Sequence, residues 1–81
     1  MTPQALFDQR LQKIIADIKN QLLLSTDEAT YSSYKQLLYM LSSLNFSNKS
    51  DFKGSISYFV ADSYTGDNDL GKRLIAFDHT L

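Results

Sequence analysis

The stretch DFKGSISYFVADSY, residues 51–64, decides the fold class of this chain. Placed at 100° steps, Phe52, Ile56, Phe59 and Val60 fall on one face of a helix. Taken in alternation, Ile56, Tyr58 and Val60 fall on one face of a strand, and these residue types favour the strand. The sequence downstream breaks the tie. Residues 63–69 form a turn by composition, after which Leu70, Leu74, Phe77 and Leu81 keep the spacing of a helix that Asn68 or Asp69 can cap. The rival is a strand over residues 73–78 that pairs back on residues 56–62. That hairpin leaves Leu74 and Ala76 on the face opposite Ile75 and Phe77, with no second layer to cover it. The expected fold is therefore all-α, a compact four-helix arrangement built on an N-terminal antiparallel helix hairpin. The alternative is α+β, two helices plus a C-terminal β-hairpin at about 55–62 and 72–78.

The hairpin itself is read upstream. Thr2 followed by Pro3 is a helix start, because the hydroxyl can accept from an orphan amide and proline at the first helical position gives up no needed donor. From there to about Leu24 no glycine or proline interrupts, and Phe7, Leu11, Ile14, Ile15, Ile18 and Leu22 share one stripe. Leu6 and Leu24 fall off that stripe. Ser25 and Glu28 are spaced as a capping box for a second helix running to about Leu44, whose core face is Tyr34, Leu37, Leu38, Leu41 and Leu44, flanked by Tyr31. The short connection makes the two helices antiparallel neighbours. Residues 45–50 are polar apart from Phe46 and read as a loop whose aromatic ring caps the end of the hairpin.

Eighty-one residues make one domain, 1–81, and a chain of this size buries only about 60% of the surface it exposes when extended, so a monomer has little spare core. The formal charge is −1, with 8 basic and 9 acidic side chains interspersed along the chain. No basic stripe of the kind that neutralises phosphates is present, which argues against a nucleic-acid partner. The N-terminal residues lack a basic region followed by an apolar core, and the longest apolar run nearby is Leu22 to Leu24, so the expectation is a cytoplasmic protein with no membrane partner. Asn45 and Asn48 each begin a glycosylation acceptor triplet, which without a secretory signal reads as polar loop.

Chemistry lacks its ingredients. The chain has no cysteine and one histidine, His79, which near a helix carboxyl end reads as an exposed residue interacting with the helix dipole. Asp62, Asp67 and Asp69 bunch around Gly66 and Gly71, but the glycine falls one position short of its place in a calcium loop, and Lys72 and Arg73 would push cations at the ion. The bunch reads as a solvated turn whose carboxylates cap the next helix. Ser32 and Ser50 each stand three residues before a lysine, a spacing that chance supplies often in a serine-rich chain. The expectation is a non-enzyme with no catalytic residues, no metal and no cofactor.

Tyrosines supply the positive signal. On the helical wheel Tyr39 lies about 160° from the core face of its helix, Tyr58 lies opposite Ile56 if that segment is helical, and Ile75 sits about 130° from the last helix's seam. Exposed tyrosines on rigid helices are good interface anchors, since they offer area and a hydroxyl at low entropic cost. The expected function is a small soluble protein–protein interaction module of the adaptor, inhibitor or immunity/regulatory type, anchored by Tyr39, Tyr58 and Ile75. In general layout alone it resembles bacterial immunity and antitoxin-like proteins, a likeness carried by no residue motif. The alternative is a homo-oligomeric assembly protein, a homodimer in the simplest case, pairing through the first helix with Leu6 and Leu24 at the interface.

Overall fold

The computed structural model describes residues 2–81, which fold into α1 (Pro3–Leu24), α2 (Glu28–Ser42), the single turn α3 (Lys49–Phe52), α4 (Ser55–Asp62) and α5 (Asn68–His79). Four of these are multi-turn helices, and no strand occurs among the described residues. The fold is all-α, and the C-terminal β-hairpin does not form. As helices, residues 55–62 and 68–79 turn Ile56, Leu70, Leu74 and Phe77 onto one shared core, a burial that a two-stranded ribbon has no second layer to achieve.

The three longest helices, α1, α2 and α5, each start on a side chain that takes up an orphan amide. Thr2 Oγ1 accepts from Ala5 N at 3.1 Å, with Pro3 at the first helical position as read from sequence. The second start differs from the capping-box expectation, because Asp27 Oδ2 accepts from Thr30 N at 3.0 Å. Ser25 instead closes α1, its N–H reaching Leu22 O and its hydroxyl reaching Gln21 O. Asp67, rather than Asn68 or Asp69, caps α5 by accepting from Leu70 N at 2.8 Å. The third helical stretch is not continuous. Gly54 adopts φ +93°, a left-handed conformation that costs an L side chain energy, and it separates α3 from α4.

Packing follows the spacings. α1 lies along α2 and α4 along α5, and α5 crosses to α1, so the two helix pairs share one core through α1 and α5. Phe7, Leu11, Ile14 and Ile18 from α1 meet Tyr34, Leu37 and Leu41 from α2 and Leu70, Leu74 and Phe77 from α5. Ile15, Leu22 and Leu38 are only half-buried at its margin, and Leu44 is buried just past the end of α2. Phe46 caps the hairpin as expected, its ring edge-on to Phe7 at 5.9 Å while Phe7 stacks on Phe77 at 6.1 Å. Outside the core, the Arg73 guanidinium and then the Lys13 ammonium beside Asp17 hold its carboxyl below the usual range and tie α5 to α1.

Two polar ties complete the fold. Asp78, 1% exposed, receives the Gly54 N–H on both carboxylate oxygens (2.9 and 3.0 Å) and the Ser57 hydroxyl on Oδ2 (2.7 Å), which fastens the start of α4 to the end of α5. At the other end of α4, the Ser33 hydroxyl accepts from Thr65 N and lies within reach of Ser63 O. Beside it the buried Tyr34 hydroxyl accepts from Asp67 N at 2.9 Å, and Tyr64 Oη donates to Asp67 O at 2.8 Å. Gly66 permits this approach, because a Cβ there would stand 2.6 Å from Tyr34 Oη and 2.8 Å from Tyr64 Oη.

Candidate interaction surface

α2 and α4 share no extensive interface, so the side of the molecule between them stays open. One wall of the opening is a complete stripe of α2: Glu28, Tyr31, Ser32, Lys35, Gln36, Tyr39 and Met40, continued by Ser43 past the helix end. These positions recur every three or four residues because that spacing returns a helix to the same face. Phe52 of α3 and Phe59 of α4 form the other wall, and the groove encloses about 790 Å³. At 1.5 Å per residue the stripe is about 22 Å long, four turns of helix. A second cleft of about 440 Å³ adjoins it, sharing Met40 and Phe59 and lined also by Lys53 and Tyr58. Tyr39 and Tyr58, 80% and 72% exposed, therefore stand on one continuous surface with the half-exposed Tyr31.

The remaining anchors read from sequence are scattered. Ile75 is half-buried and lines a separate cleft of about 330 Å³ with Val60, Tyr64 and Lys72. Leu6 borders a cleft of about 210 Å³ beside Phe7, Arg10 and Phe46. Leu24 lies at the far end of α1, about 27 Å from Leu6 by helical rise, in a polar cleft with Asp27, Tyr34 and Gly66. Between the two leucines, that face of α1 carries Arg10, Lys13, Asp17 and Gln21. Tyr31, Met40, Phe52 and Phe59 are groove walls that sequence reasoning assigned to the core or passed over. The available signal was an aromatic or methionine on the flank of a core stripe, where burial is incomplete.

Electrostatically the groove carries one acid and one base, Glu28 and Lys35. The Lys35 ammonium sits over the Tyr31 ring, 5.5 Å from its centroid, and neither charge belongs to an ion pair among the described residues. Away from the groove, burial first and the Tyr34 hydroxyl second push the Tyr64 phenol well above its ordinary value.

The acidic bunch behind the calcium count is engaged in local structure. Asp67 caps α5, Asp69 pairs with Arg73 at 3.2 Å, and Asp62 accepts from the Ser63 hydroxyl at 3.1 Å. Among the described residues no three histidine or carboxylate side chains converge as a metal-binding group. His79 is exposed in the last position of α5. Ser32 takes a long hydrogen bond from Gln36 at 3.5 Å. Asn45 and Asn48 cross-bond, each side-chain carbonyl accepting from the other's backbone N–H. No helix among the described residues is long and apolar enough to cross a membrane. Set against protein-family models, curated proteins and solved structures, the chain has no significant match in any of the three comparisons.

Proposed function

We propose that this chain is a small, non-catalytic protein–protein interaction module of the adaptor, inhibitor or immunity/regulatory type, acting in the cytoplasm through the α2–α4 groove. The observation that carries the reading is the groove itself. Tyr31, Tyr39, Met40, Phe52 and Phe59 line one four-turn opening, the exposed Tyr31 and Tyr39 standing beside Met40, Phe52 and Phe59, whose inner sides pack against the core. Rigid aromatic side chains beside a concave apolar surface are what binding hot spots are built from. Charges are few in the groove, as expected at the centre of an interface. Binding would act by stoichiometric surface complementarity.

The test compares tagged wild type with Tyr39→Ala in pull-downs from cytoplasmic lysate, followed by calorimetric titration of the two purified proteins. A stoichiometric partner lost in Tyr39→Ala and retained in Leu24→Ala is the expected outcome. A partner retained by Tyr39→Ala and lost in Leu24→Ala would move the function to the α1 end.

A further inference from the structure

The groove's two charges fix what kind of surface would complement it. Glu28 and Lys35 are seven residues apart on α2, so they lie on the same face, separated by about 10 Å of helical rise. That distance is too long for a direct ion pair within one chain. It suits a two-fold operation. When an identical helix lies antiparallel across this face, with the symmetry axis between Tyr31 and Ser32, the residue facing position 28 is position 35. Each acid then meets a base, and each base an acid.

We propose that a second copy of this chain docks on the groove as an antiparallel α2–α2 pair, with Glu28 of each copy facing the partner's Lys35. This proposal rests on the groove reading above and names its occupant. Three features support it. The charge pattern is self-complementary about a two-fold axis, as an isologous interface demands. Tyr31, half-exposed under the Lys35 ammonium, sits beside the axis, where its ring meets its own symmetry mate and Lys35 is held toward the pair. The face is also not covered from within, because α4 stands off from α2 and neither Glu28 nor Lys35 is paired among the described residues. Tyr39, at 80% exposure, extends the contact beyond the overlapped turns toward the partner's α1–α2 connection. Two turns of overlap make a small interface, so association is concentration-dependent and readily displaced by a heterologous partner.

The experiment is sedimentation velocity from micromolar to millimolar chain concentration on wild type, Glu28→Lys, Lys35→Glu, and an equimolar mixture of the two variants. Both residues are exposed, and helical circular dichroism is the check that each variant folds. Wild type should pass from monomer to dimer across the range. Each variant alone presents four like charges across the axis and should dimerise at least about tenfold more weakly. Their mixture pairs an all-basic face with an all-acidic one and should restore dimer to wild-type strength or above. Lys72→Glu, exposed on the separate cleft beside Ile75, should leave the wild-type curve in place. The proposal is overturned if wild type stays monomeric to millimolar concentration, if either variant dimerises like wild type, or if the mixture remains monomeric. A monomer that still loses a heterologous partner in Tyr39→Ala would overturn self-pairing alone and leave the interaction module standing.

Discussion

Tyr34 and Tyr39 are the same residue type on the same helix, five positions apart, and they are 1% and 80% exposed. Five positions at 100° is 500°, so the second ring points about 140° away from the first. Tyr34 has its phenol wedged between α2 and the α4–α5 loop, where its hydroxyl takes the Asp67 N–H and excludes any side chain at Gly66. Tyr39 has no aromatic or cationic partner on its ring among the described residues and sits in the wall of the groove. One face of α2 thus fixes the fold, and the other is free to meet something else. Position on a helix, more than residue type, decides whether an aromatic ring packs into the fold or stays exposed on its surface.

The contrast predicts a graded series of effects. Leu37, fully buried beside Tyr34 on the inner face, should show the largest loss: Leu37→Ala should cost about 2–5 kcal/mol in urea unfolding. A loss under about 1 kcal/mol would mean that this side of α2 is not the tightly packed face. Tyr34→Phe keeps the ring and removes only the hydroxyl, which orphans the Asp67 amide and should cost about 1–3 kcal/mol.

The same change has a pH signature. Because Tyr64 ionises less readily in the folded chain, the unfolded state loses its proton first, and wild-type stability is full below the ordinary tyrosine value and falls as pH rises beyond it. Removing the Tyr34 hydroxyl lifts one of the causes, so the alkaline loss should shrink in Tyr34→Phe. An unchanged slope of stability between neutral and alkaline pH would show that the two phenols are not linked. The smallest effect belongs to the outer face. Tyr39→Ala should stay within about ±0.5 kcal/mol of wild type in thermal melts while it loses partner capture, and a larger destabilisation would assign Tyr39 a structural role.

Much of the fold was legible in the sequence because local geometry writes it there. Phe7, Leu11, Ile14 and Ile18, and again Leu70, Leu74, Phe77 and Leu81, recur at helical spacing, and all of them are buried. The exact caps were harder to read. Ser25, Asp27 and Glu28 are all plausible within one turn, and the choice of Asp27 depends on where α1 ends, because Ser25 is already committed to Gln21 and Leu22. Asp78, beside His79 near the end of the last helix, gives little local sign of burial. Its burial depends on Gly54, 24 positions away, and helical periodicity carries no information about that pairing. The one local clue was that residue 78 lies one turn beyond Leu74, on the flank of the seam. The groove divides in the same way. Outward tyrosines on α2 and α4 could be placed on a wheel, but whether Tyr39 and Tyr58 share a surface while Leu6, Leu24 and Ile75 line three other clefts depends on how the two helix pairs splay, a tertiary property.

Gly54 has a consequence that concerns handedness. Its φ of +93° is the mirror image of a conformation that ordinary residues adopt, and a methyl group built at its α-carbon would meet nothing within 4 Å. Space is therefore no obstacle there and chirality is the whole obstacle. An L-alanine would strain the very backbone whose amide holds Asp78, whereas a D-alanine placed by chemical ligation has its favoured dihedrals in this same region and would restrict the unfolded chain. At this one position, the handedness that the backbone dihedral favours lies outside the genetic code.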